Sequence, residues 1–142
     1  MKEWTWLLKE ESIALANYRI EKAKSCLRAS ELLLTDEACY ADSANRSYYA
    51  IFHAINALLA LEEVGFKKHS GVIAYFNQHY IKAGIFEKEF GKIAGAAFDI
   101  RKDNDYADFY VISKEEVERQ HENAVRFVKR IESYIRDELD SV

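Results

Sequence analysis

The most apolar stretch of the chain runs from Asn45 to Leu61, NRSYYAIFHAINALLAL, and it holds an arginine and a histidine. Placed on a helix at about 100° per residue, these side chains sort by size. Ala50, His53, Ala57 and Ala60 fall within about 40° of Arg46, and Tyr49 within about 60°. Tyr48, Ile51, Phe52, Ile55, Leu58 and Leu59 take the opposite side. One face is therefore bulky and apolar, as a core requires. The other is small and carries two polar groups, a surface made to meet a neighbour closely.

The same period of three to four residues recurs along the chain. Ile13, Ala16, Ile20, Ala23, Leu27, Ser30 and Leu34 form a heptad-like seam, which predicts a long first helix from near Lys9 to Leu34. Its outer face carries Glu21, Lys22, Lys24 and Arg28. After a turn at Thr35-Asp36, a second helix begins near Ala38 and stops at Gly65, a residue able to take the left-handed cap conformation. Ser70 is a good N-cap for a third helix, Gly71 to about Lys82, which Gly84 ends. A fourth helix runs from about Glu87 to near Arg101, with Phe90, Ala94, Ala97 and Arg101 on one face. A loop from Ala107 to Ile112 follows. Ser113 and Glu116 make a capping box, so the fifth helix starts there and reaches Glu138, with Val117, His121, Ala124, Val128, Ile131 and Ile135 as its seam. Trp4 and Trp6, at the start of the chain, are expected to pack back on the bundle.

Composition sharpens this picture. There is no proline, glycine is scarce at 5 residues, and 49% of the 142 residues are hydrophobic. The expectation is an all-α protein, an up-and-down helical bundle of about five helices, formed as a single domain over residues 1–142. The net charge of −4 excludes a generally basic nucleic-acid binder but leaves room for a local basic site. Cys26 and Cys39 form no CxxC and are read as reduced thiols of a cytoplasmic protein. The acidic residues in MKEWTWLLKEES argue against a signal peptide. The apolar run Tyr48–Leu61 is too short, and too polar at His53 and Asn56, to span a membrane. No phosphate loop, HExxH or metal-ligand spacing is present, so neither a metal nor a cofactor is expected.

What remains is polar residues on apolar faces. Arg101 cannot shed its charge, so it needs a partner. Asp105 at i+4 or another carboxylate would serve; so would a phosphate, whose oxygens fit the guanidinium fork. Arg46 has the same two readings, an ion pair with a neighbouring helix or an anion. His53 is either a hydrogen-bonded core histidine or part of a cleft. Lys67-Lys68-His69 precedes a helix start, where free N–H groups can hold an anion or where the cations are merely solvated.

Taken together, Ala44 through Ala54, Lys68 through Ile73, and Phe98 through Arg101 to Asp105-Tyr106 resemble the HEPN domains (higher eukaryotes and prokaryotes nucleotide-binding). The resemblance covers nearly the whole chain. It implies a helical bundle that forms a homodimer. It also implies a frequent partner, a minimal nucleotidyltransferase encoded nearby, often as a toxin–antitoxin pair. Many HEPN domains are metal-independent ribonucleases, marked by an Arg, then four to six residues, then a His, with two copies completing one site. Mapped here, the Arg is Arg101, and the His position holds Tyr106, Ala107 or Asp108. A tyrosine with a pKa near about 10 is a poor base, which weakens the ribonuclease reading. The candidate residues are therefore Arg101, Asp105 and Tyr106 for catalysis, and Arg46, Tyr49, His53 and His69 for binding RNA or nucleotide. The leading reading is a binding module of this type; the alternative is a metal-independent endoribonuclease.

Overall fold

A computed structural model describes residues 9–106 and 111–141, with backbone only at residue 9 and at 104–106. Trp4, Trp6 and the loop from residue 107 to 110 lie outside the described residues. Among the described residues, five α-helices and no strand are found: α1 Lys9–Leu33, α2 Tyr40–Leu61, α3 His69–Phe76, α4 Lys88–Tyr106 and α5 Lys114–Asp140. The expected all-α bundle is what the chain forms. No described helix is long and apolar enough to cross a membrane.

The α2 helix is the centre. The other four helices all pack on it, which is why its sequence is apolar nearly all round. Tyr48, Ile51, Ile55, Leu58 and Leu59 are fully buried, with Phe76 of α3 and Phe127 and Ile131 of α5 in the same core. The small face of α2 meets α1. Ala50, Ala54 and Ala57 are fully buried, as are Ala16 and Ala23 of the facing seam. So the neighbour that the small face was shaped for lies within the chain, and an interface between two copies is not needed to cover it.

One end of this seam is polar. Ser30 Oγ lies 2.7 Å from Ser47 Oγ and 3.2 Å from Ser43 Oγ, and the Ser43 hydroxyl donates to the Ser30 carbonyl at 2.8 Å. His121 Nδ1 of α5 joins at 3.0 Å from Ser30 Oγ. All three serines are fully buried, and each hydroxyl is satisfied by another, which removes the cost of burying them.

The helix ends follow local chemistry, with three departures from the expected limits. A 3-10 turn, Glu37–Cys39, precedes α2, capped by Asp36 Oδ1, which accepts from the Ala38 N–H at 2.9 Å. After α2 the left-handed position is taken by Glu63, φ 56°, and not by Gly65. The α3 helix starts at His69, with Lys68 as an extended N-cap that makes no side-chain bond. Ser70 therefore sits in the first turn instead of capping it. α3 continues as a π turn, Asn77–Ile81, and Gly84 at φ 79° ends it as expected. α4 crosses this turn closely: a Cβ at Gly91 would stand 3.0 Å from Asn77 Oδ1 and 3.2 Å from Ile81. α4 also runs on past Arg101 to Tyr106 without fraying. Ser113 caps α5, accepting from the Glu116 N–H at 3.1 Å.

The close α1–α2 seam makes a testable demand. Ala50→Leu should destabilise the chain by about 1–3 kcal/mol through overpacking. Leu32→Ala, at a side chain 73% exposed, should change stability by no more than about 0.5 kcal/mol. Urea unfolding curves of both variants decide it; equal, small effects would mean the seam is not tightly packed.

Candidate functional site

Three helices converge beside the middle of α2. Tyr48, one of the large residues of the core face, is 1% exposed, yet its hydroxyl reaches the start of α3. There it shares a hydrogen bond of 2.7 Å with His69 Nδ1. The His69 ring stacks on Phe52 with centroids 4.0 Å apart and planes 18° from parallel. Phe98 of α4 tilts against Tyr48 at 6.2 Å. From the next turn of α4 the Arg101 guanidinium lies over the Tyr48 ring, 5.8 Å from its centroid.

Burial holds the Tyr48 phenol well above its usual pKa, against the opposing pull of the Arg101 charge. The phenol therefore keeps its proton in the bond that it shares with His69 Nδ1.

A second group lies one side of this. Tyr49 meets Tyr48 edge-on at 5.1 Å and His69 edge-on at 5.8 Å. The Arg46 guanidinium covers the Tyr49 ring at 5.0 Å, and its charge draws down the Cys26 thiol on α1 against the larger upward push of burial. Arg46 thus lies beside a neighbouring helix, and among the described residues no carboxylate there pairs with it. His53 lies 6.0 Å from Tyr49. Burial pushes the His53 imidazole down to a pKa of about 4, and the charges of Lys22, Arg46 and Arg19 push the same way.

So Arg46, Tyr49, His53, His69 and Arg101 share one region around Tyr48 and Tyr49. The side chains of Asp105 and Tyr106 lie outside the described residues; their backbone continues α4 one turn beyond Arg101. Sequence reasoning missed Tyr48, which looks like plain core on a helical wheel. It also missed Arg19 and Lys22, which face His53 from α1. The signal for Tyr48 was weak: the bond to His69 spans 21 residues and depends on where α3 begins. Among the described residues no cluster of His, Cys, Asp or Glu could hold a metal ion.

Residues 16–134 match the model of the HEPN domain. The chain belongs to the HEPN family. This HEPN chain is 36% identical over 127 residues to the UPF0332 protein of Thermotoga maritima, covering 89% of this chain and 96% of that one. It is 34% identical over 132 residues to a Methanocaldococcus jannaschii protein named as a candidate toxin, covering 93% and 94% of the two chains. A second candidate toxin of that organism is 34% identical over 116 residues, covering 82% of this chain and 78% of that one.

The environment of His53 sets a pH dependence. Its folded pKa of about 4 lies below its ordinary 6.5, so the unfolded chain binds the proton more readily. The stability that the neutral ring supplies is present in full above about pH 6.5 and is lost as the pH falls towards 4. Wild type should lose more stability than His53→Gln between those limits, read from denaturation midpoints at each pH. Parallel losses in the two chains would show that His53 is not held neutral.

Proposed function

We propose that this HEPN chain is the toxin-type half of a two-component module. In this reading it is a homodimer that binds a phosphate of RNA or of a nucleotide beside Arg101, or engages a minimal nucleotidyltransferase as its partner. The observation that carries the phosphate reading is the meeting of Arg101, Tyr48 and His69 from three helices. The Arg101 guanidinium lies over the Tyr48 ring, and a guanidinium fork has the shape to meet two phosphate oxygens. The His69 ring, stacked on Phe52 at 4.0 Å, adds an imidazole edge in a fixed orientation. The first turn of α3, which begins at His69, adds backbone N–H groups with the favourable end of the helix dipole. The names of the two Methanocaldococcus jannaschii relatives support the toxin-type reading.

One observation favours a second reading, a metal-independent endoribonuclease. No histidine stands four to six residues beyond Arg101, but His69 comes to the same region through Tyr48. An imidazole can take the 2′-hydroxyl proton or protonate the leaving oxygen near neutral pH, which Tyr106 cannot do at an ordinary phenol pKa. Arg101 would then steady the charge of the transition state.

Binding and cleavage are separated by one pair of variants. Arg101→Ala should weaken binding of a fluorescent single-stranded RNA by about 10- to 100-fold, the effect of one charge-assisted hydrogen-bonded contact. Unchanged affinity removes the phosphate reading. In EDTA, cleavage of a structured RNA by wild type that is lost in both Arg101→Ala and His69→Ala would promote the enzyme reading; intact RNA throughout leaves a binding module.

A further inference from the structure

Apart from Arg101, a second group of basic side chains lies along α1 and α2. Arg19 and Lys22 stand one turn apart on α1, and Arg46 approaches His53 across Tyr49, whose ring centroid is 5.0 Å from the guanidinium and 6.0 Å from the imidazole; added to burial, the charges of Lys22, Arg46, Arg19 and His69 all depress that imidazole. Two of them are fixed in place. Arg19 Nη1 donates to the Asn56 carbonyl at 2.8 Å, and Arg46 is held by the Tyr49 ring. Lys22 is exposed and lies over the ring of Tyr18, 5.6 Å from its centroid. Among the described residues none of Arg19, Lys22 and Arg46 forms an ion pair with a carboxylate. The nearest acidic neighbour in sequence, Glu21, turns away and contacts Lys24 at 3.4 Å.

Like charges brought together repel, and the repulsion grows where water is partly excluded. Here half-buried Arg19 and Arg46 and exposed Lys22 surround a ring that stays neutral and so adds no fourth charge. A carboxylate on α1 or α2 would have relieved the repulsion, and none is supplied. The cluster is thus built to be completed by an anion from outside.

Tyr49 joins this cluster to the first one, lying between Arg46 and His69. Tyr18, 59% exposed, flanks the far side with a ring on which a base can stack. Two cationic groups separated by an aromatic side chain match alternating phosphates and bases of a single strand. We infer that Arg19, Lys22 and Arg46, with His53 beside them, form a second phosphodiester subsite that takes a neighbouring phosphate of the single-stranded RNA bound at Arg101. The inference rests on the reading of Arg101 as a phosphate site, and the experiment separates the two.

The full-length chain is titrated with inorganic phosphate while the His53 imidazole resonances are followed by NMR, with chloride at matched ionic strength as control. Phosphate should shift His53 and raise its pKa, because it offsets the positive charges that add to the effect of burial. Lys22→Gln/Arg46→Gln should abolish the shift and Arg101→Ala should leave it. In parallel, binding of a twelve-nucleotide oligouridine is measured against salt. The slope of log K on log salt should fall by about 0.7 in Lys22→Gln and by about twice that in the double variant, since each lost contact on a single strand releases fewer counterions. Lys22 is exposed, so its single variant tests the subsite even if the double variant fails to fold. A His53 resonance that ignores phosphate, or a salt slope unchanged in Lys22→Gln, overturns the subsite; if Arg101→Ala still weakens RNA binding, the first site survives alone. Phosphate binding without any RNA binding, or preference for a polyglutamate peptide over RNA, overturns the assignment of RNA as occupant.

Discussion

Everything in this structure depends on how closely α1 can approach α2. A helix that is apolar on all sides must be covered on all sides, and α2 has a narrow side built of Ser43, Ser47, Ala50, Ala54 and Ala57. Side chains this short can be covered only by a backbone that comes very near. α1 does so because its own facing residues, Ala16, Ala23 and Ser30, are equally short. At such a separation a single unsatisfied hydroxyl would be costly. The serine triplet with His121 removes that cost and at the same time ties α5 to the seam, which fixes the register of three helices by hydrogen bonding where small apolar groups alone would slide.

The close seam also explains where the chemistry lies. No long polar side chain can fit between α1 and α2, so Arg46 and His53 lie along the rim of the contact, together with Arg19 and Lys22 from the other helix. On the opposite side of α2 the large residues leave room for α3 and α4, and there Tyr48 extends past the core to His69 and Arg101. The candidate site is thus the strip of α2 between its tight face and its wide face. Tyr49 occupies that strip and touches both groups of cations.

Much of this was legible in the sequence, and the parts that were not have physical reasons. Helix identity came from periodicity and from caps whose partners are local, as at Ser113 with Glu116, or from a glycine whose φ is positive, as at Gly84. Gly65 failed as a stop because α2 turned left-handed two residues sooner, at Glu63; Glu62 there accepts hydrogen bonds from Tyr75 and Tyr80 of the following segment, which favours an early exit. That contact is tertiary and leaves no local mark. The division of α2 into a small and a large side was legible, but Arg46 and His53, which the wheel put on the small face, lie at its rim, and a wheel says nothing about whether a small face meets the same chain or another copy. Arg46, His53, His69 and Arg101 stood out as polar residues near apolar faces. Tyr48 and Arg19 did not, because a buried tyrosine and a helical arginine are ordinary until their distant partners are known.

The net charge of −4 conceals an uneven distribution, and α1 is what divides it. Adjacent residues on a helix point about 100° apart, so Glu21 and Lys22 face different neighbours. Glu21 lines a groove between α1 and α5 with Glu132 and Asp140, where it shares Lys24 with Glu132. Lys22 faces the other way, towards Arg46 and His53. Arg136 also lines that groove and meets Glu132 at 3.5 Å, so its charges are mixed and paired, whereas Arg19, Lys22 and Arg46 pair with no carboxylate among the described residues. A polyanion is attracted on the cationic side, so orientation is selected before contact. The preference operates over roughly a Debye length, about 8–10 Å at physiological salt, and weakens as salt is added. An acidic protein can in this way still present a local attraction to a polyanion.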